Sequence, residues 1–81
     1  MKMEEILREK IASTLSPRHL EIYNESHMHS SGLGAESHFR VLVVSENFNN
    51  QSKVQRQRSV YQLFAEELKT KIHALSLRLL T

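Results

Sequence analysis

Cysteine is missing from all 81 residues. The chain therefore supplies no disulfide, no thiolate nucleophile and no thiolate metal ligand, and any iron-sulfur chemistry would borrow its sulfur from elsewhere. A run of about 18 apolar residues, the length needed to cross a bilayer, is also lacking. The opening MKMEEILREK carries carboxylates where a secretion signal would have a hydrophobic stretch. A soluble, intracellular, cytoplasmic protein with no membrane partner is expected. No nucleophile motif, Gly-rich phosphate loop or HExxH occurs, and a small sheet leaves little volume for a substrate pocket, which argues against an enzyme. Neither a repeat nor a linker divides the chain. A chain this short buries roughly 60% of the surface its unfolded form exposes, enough for one modest core. One domain over residues 1–81 is expected.

What is present is periodic. Met3, Ile6, Leu7, Ile11 and Leu15 recur at helical spacing over residues 3–15, with Glu4, Glu5 and Glu9 placed early, toward the positive end of the helix dipole. The helix stops at LSP, because Pro17 restricts Ser16 to extended conformations and cannot donate into a further turn. In HLEIY, residues 19–23, Leu20 and Ile22 alternate with His19, Glu21 and Tyr23, the period of a half-buried strand. Residues 26–36 are rich in Ser and Gly and read as a loop. FRVLVV, residues 39–44, is β-branched and nearly all apolar, which suits a central strand. Turn residues follow in SENFNNQS. Lys53 to Lys69 then predicts a second amphipathic helix with Val54, Val60, Tyr61, Phe64, Ala65 and Leu68 on its core stripe. Finally IHALSLRLL, residues 72–80, alternates His73, Leu75, Leu77 and Leu79 against Ile72, Ala74, Ser76 and Arg78. It predicts a third strand, although its leucine content would also suit a helix. The order helix, strand, strand, helix, strand predicts a two-layer α+β sandwich, with helices on one face of a three-stranded mixed sheet. The other face, carrying Tyr23 and His73, is left to meet solvent or a partner.

Three of the five histidines surround one loop, ESHMHSSGLGAESHF, residues 25–39. Imidazole changes charge near neutral pH and is the commonest metal ligand, so such a cluster suggests metal binding or acid-base chemistry. His38 or His73 could add to His27 and His29, and two to three imidazoles could hold zinc. Two imidazoles can also replace two thiolates on one iron of a cluster, with a cysteine-bearing partner supplying the rest. Solvated loop histidines are the plainer alternative. Glu25 with Glu36 as a carboxylate pair, or Ser26, Ser30 or Ser37 beside a histidine, are weaker patterns.

The charge is uneven. Residues 1–36 hold four Lys or Arg against six Glu, whereas residues 37–81 hold seven against three. Within the basic half, KVQRQR at the start of the second helix offers Lys53, Arg56 and Arg58 to phosphates and Gln55 or Gln57 to a base edge. It lacks the GXXG loop with which a KH module clamps a nucleic-acid backbone. A solvated helix end is the alternative.

The blocks LEIYNESHMH, ESHFRVLVVSENF, QRQRSVYQLFAEEL and IHALSL resemble, in order and spacing, those of the BolA family, the stress-induced morphogen proteins, from about Leu15 to Leu77. That resemblance implies a class II KH-like α+β sandwich with a short helical turn near Phe48 to Ser52. It also implies a monothiol glutaredoxin partner, with glutathione, and a 2Fe-2S cluster shared between the two proteins. Some members are described as DNA-binding transcriptional regulators. His73, in IHALSL, matches the family's cluster-ligand histidine, and His29, the last residue of ESHMH, matches the loop position that is His or Cys elsewhere. His38 also matches a family histidine, without a cluster role. With only two imidazoles to offer, the chain alone is expected to be a monomer free of metal. Two departures stand out: Gln57 replaces a histidine the family usually carries, and the chain ends at Thr81 where relatives commonly continue.

Overall fold

The computed structural model describes residues 2–26 and 37–81. In chain order the elements are α1 (Met3–Leu15), β1 (His19–Asn24), β2 (His38–Val44), a 3-10 turn (Glu46–Phe48), α2 (Lys53–Leu63), α3 (Ala65–Thr70) and β3 (Ala74–Leu80). β2 is the central strand, antiparallel to β1 and parallel to β3, so the sheet is mixed. A parallel pair cannot be closed by a tight turn, and here the crossover is made by α2 and α3.

Alternation along the strands sends one set of side chains into the core and the other outward. Ile22, Phe39, Val41, Val43 and Leu79 are buried on the inner face, with Leu20, Leu75 and Leu77 packed against them. Met3, Leu7, Ile11 and Leu15 of α1 sit one helical turn apart and are all buried, as is Val60 of α2. Burying each such side chain is worth about 1.5–3 kcal/mol relative to leaving it exposed, which makes this layer the main force holding helices to sheet. All helical packing is on that face. The opposite face carries Glu21, Tyr23, Arg40, Leu42, Ser76 and Arg78, set side by side by the register Tyr23–Arg40–Ser76 and Glu21–Leu42–Arg78.

The expected fold class is observed, with local differences that have physical causes. The long second helix is two: Phe64 leaves helical geometry at φ −102°, ψ 21°. This break lets Leu63, Phe64 and Leu68 all reach the core, while Lys10 on α1 grips the Glu67 carboxylate at 2.8 Å. Val54 and Tyr61, expected on the core stripe, are 57% and 40% exposed. Both ends of α2 are instead tied to the edge of β3, by Arg56 donating to the Leu79 carbonyl at 3.0 Å and Tyr61 to the Leu75 carbonyl at 3.3 Å. β3 starts at Ala74, two residues later than the alternation suggested. Ile72, grouped by the alternation with Ala74, Ser76 and Arg78, is 4% exposed because its amide caps α3 on the Glu67 carbonyl at 2.8 Å and its side chain joins the core; His73, expected on the outer face with Tyr23, precedes the strand. Ser16 is left-handed, φ 43°, ψ 59°, and not extended before Pro17. The Leu15 carbonyl beside it is taken by the buried Ser45 hydroxyl at 2.6 Å, which ties the end of α1 to the end of β2. The short helical turn comes at Glu46–Phe48, slightly earlier than the family resemblance implied, and seats Phe48 fully in the core.

Candidate functional site

The loop stem and the start of β3 meet at one corner of the sheet. Ser26, 2% exposed, accepts through its hydroxyl from the amides of Ser37 and His38 at 2.9 and 3.0 Å. One buried oxygen thus joins the two ends of the segment that carries His27 and His29. The Glu25 amide closes the same stem on the His38 carbonyl at 2.8 Å. Ser37 then holds the third chain segment: its carbonyl accepts from the His73 amide at 2.7 Å and from the Ala74 amide at 3.2 Å.

This backbone clamp sets His73 beside His38. The two rings stack with centroids 6.2 Å apart and planes 26° apart, and the Nδ1 of His38 lies 2.9 Å from the Ser37 hydroxyl. His73 is exposed and His38 half-buried. His29 lies outside the described residues, so its distance from His73 is not part of this geometry. Among the described residues no group of three or more His, Asp or Glu side chains is placed to hold an ion. The approach of His38 to His73 had no signal in the sequence, because it depends on β2 and β3 being parallel and paired His38 to Ala74.

The basic residues at the start of α2 divide. Lys53 and Arg58 are exposed. Arg56 is half-buried and committed: Nε donates to the Gln51 carbonyl at 3.1 Å, Nη1 to the Leu79 carbonyl, and its guanidinium lies 5.9 Å from the Phe48 ring centre. Its first duty is to fasten α2 to β3. The helix itself starts on a capping box, with Ser52 and Gln55 each accepting the other's backbone amide through a side-chain oxygen.

On the outer sheet face, the Arg40 guanidinium stacks 4.7 Å from the centre of the Tyr23 ring and its Nε donates to Glu25 at 3.0 Å. The Tyr23 hydroxyl donates to Glu21 at 2.6 Å, and His19 approaches the same carboxylate at 2.6 Å. Donation from Tyr23, then from His19, holds the Glu21 carboxyl below its ordinary pKa, and the Glu21 carboxylate raises that of Tyr23.

A three-stranded mixed sheet with its helices on one face and a cysteine-free histidine corner at one end defines a small α+β domain. The family model described as BolA-like protein matches residues 11–81, and the chain belongs to that family. A DNA-binding transcriptional regulator BolA from Haemophilus influenzae is 48% identical over 81 residues, covering 100% of this chain and 79% of the relative. Among solved structures, BolA1 from Arabidopsis thaliana superposes with a TM-score of 0.94 at 37% identity, covering 100% of this chain and 93% of the other. The BolA domain of SufE1 from the same plant gives 0.89 at 36% identity, with 100% and 94% covered. The family and fold expected from the four sequence blocks are therefore those observed.

Proposed function

We propose that this chain is a non-enzymatic adaptor that binds a monothiol glutaredoxin and supplies histidine ligands to a 2Fe-2S cluster shared with it, in iron-sulfur assembly, trafficking or iron sensing. One observation carries the reading: Ser37, the end of the His29 segment, is bonded directly to the His73 backbone at 2.7 Å. His29 follows Ser26 by three residues, a contour of at most about 10 Å, so the stem starts it within reach of the same corner.

The donor chemistry fits such a group in part. The corner offers imidazole and no thiolate, which suits two positions on one iron of a cluster whose remaining ligands are sulfur. His73 and His29 would hold it, and the missing thiolates would come from the glutaredoxin and its glutathione. Bound there, the cluster supplies a redox-active or transferable iron pair. The chain's own work is to orient His73 through the Ser37 clamp and to keep His38 packed against it. Alone, the protein is a monomer without bound metal, in the cytoplasm. The test is to mix it with cluster-loaded monothiol glutaredoxin and follow visible absorption and circular dichroism. A new spectrum that His73→Ala abolishes and His29→Ala weakens supports the reading; an unchanged spectrum in the double variant refutes it.

A second reading, a DNA-binding transcriptional regulator of stress response and cell morphology, is favoured by the name of the Haemophilus relative and by the exposure of Lys53 and Arg58 beside Arg56 at the start of α2. Phosphate contacts predict an affinity for duplex DNA that falls steeply with salt. Titration at two salt concentrations tests it, and no binding at low salt removes it.

A further inference from the structure

The outer sheet face has its own cavity, whose lining includes neither His38 nor His73. A groove of about 740 Å³ runs over this face and the edge of β3 to the first turns of α2, lined by Arg40, Lys53, Arg56 and Arg78 against a single carboxylate, Glu21. Arg40 is paired with Glu25, Arg56 is held on the Gln51 and Leu79 carbonyls, and Glu21 is occupied by Tyr23 and His19, which leaves Lys53 and Arg78 as two exposed cations that no hydrogen bond or ion pair among the described residues engages. Tyr23 is 43% exposed, and with Arg40 it forms a flat aromatic-guanidinium step pinned by the hydroxyl contact to Glu21 and the Nε contact to Glu25.

We propose that this groove binds a single-stranded nucleic-acid segment, with a base continuing the Tyr23–Arg40 stack and its flanking phosphates on Lys53 and Arg78. The charge excess calls for a polyanion, and the flat step gives a base a stacking surface that an acidic peptide would leave unused. A duplex is disfavoured by size. Three strands about 4.8 Å apart, with their side chains, make a face wider than the roughly 12 Å major groove, and the lining residues are spread across it and not along a helix that could enter. A single strand can lie across the sheet and splay its bases. The proposal rests on the nucleic-acid reading above only for the class of ligand; it moves the binding surface from the start of α2 to the sheet.

The experiment uses the intact chain and a fluorescein-labelled mixed-sequence 12-mer, single-stranded or annealed, with anisotropy read over a salt series and folding of each variant checked by circular dichroism. The single strand should bind at least tenfold more tightly than the duplex at low salt. Lys53→Ala with Arg78→Ala should weaken it at least tenfold and lower the salt slope by about 1.4, at roughly 0.7 for each phosphate no longer neutralised. Lys69→Ala with Lys71→Ala, the same charge change at residues that do not line the groove, should have little effect. Tyr23→Ala should cost about tenfold by removing the stacking surface, and Tyr23→Phe, which keeps the ring, should retain most of the affinity. Equal losses in the two lysine-bearing double variants, displacement by oligoglutamate with no response to Tyr23→Ala, or no single-strand binding would each overturn the proposal. Tighter duplex binding that depends on Arg58 would also overturn it, while leaving the second reading of the function standing.

Discussion

The histidine corner and the outer-face groove lie on one small sheet and are held in opposite ways. At the corner, position comes from the backbone: amides of Ser37, His38, His73 and Ala74 end on one buried hydroxyl and one carbonyl. On the outer face, the side chains of His19, Glu21, Tyr23, Arg40 and Glu25 hold one another through side-chain contacts at the surface. Backbone bonds form with the fold and are lost with it, whereas exposed side-chain pairs are weak, screened by salt and free to exchange partners. A ligand that requires exact placement of a donor is served by the first arrangement, and a sequence-tolerant polyanion by the second.

This contrast can be broken by substitution. The largest effect is expected at Ser26, because Ser26→Ala strands two amide donors in the stem; urea unfolding should show a loss of about 2 kcal/mol. A loss below about 0.5 kcal/mol, the range of ordinary surface changes, would mean that the stem is not what positions His73. Lys10→Met leaves the Glu67 carboxylate, 12% exposed, without its cation in the first turn of α3, the helix that leads into His73. About 1–2 kcal/mol should be lost in the same assay, since a charged partner is left poorly solvated. Arg40→Ala removes a cation–aromatic pairing and an exposed ion pair on the other side of the sheet, so it should cost less than about 1 kcal/mol.

The smallest effect is a titration. The folded Glu21 carboxyl lies below its ordinary value of 4.5, so the stability it adds is present above that pH and fades as the pH falls through the lowered value. Tyr23 has the opposite sign. Its folded value is raised above 10.0, so its contribution is complete below that pH and is lost as the pH rises through the raised value. Tyr23→Phe should move the Glu21 carboxyl back up, read by NMR titration of its side-chain carbon; an unmoved Glu21 would show that the phenol does not hold it.

Much of the core is legible in the sequence because it follows a period. The buried set Met3, Leu7, Ile11 and Leu15 is the helical stripe expected, and FRVLVV is the central strand. The second helix departs from expectation because hydrophobicity alone assigns Val54 and Tyr61 to the core, whereas the edge of β3 recruits polar ends of that helix, the Arg56 guanidinium and the Tyr61 hydroxyl. Ile72 departs because a helix cap interrupts the strand's alternation. At the corner, His73 is visible through the family blocks. The packing of His38 against it and the bridging by Ser26 are not, since both depend on contacts between segments 11 or more residues apart. The groove needs the sheet register, which puts Arg40 beside Tyr23 and Leu42 beside Arg78.

The central claim, that His73 ligates a cluster shared with a glutaredoxin, is tested most directly by labelling only this chain's histidines with 15N, reducing the cluster in the mixed complex, and recording electron-spin-echo nuclear couplings. The account predicts 15N couplings of the size of directly bound imidazole, abolished or halved in His73→Ala. A cluster-containing complex that shows no such nitrogen coupling, or one that His73→Ala leaves unaltered, would contradict it.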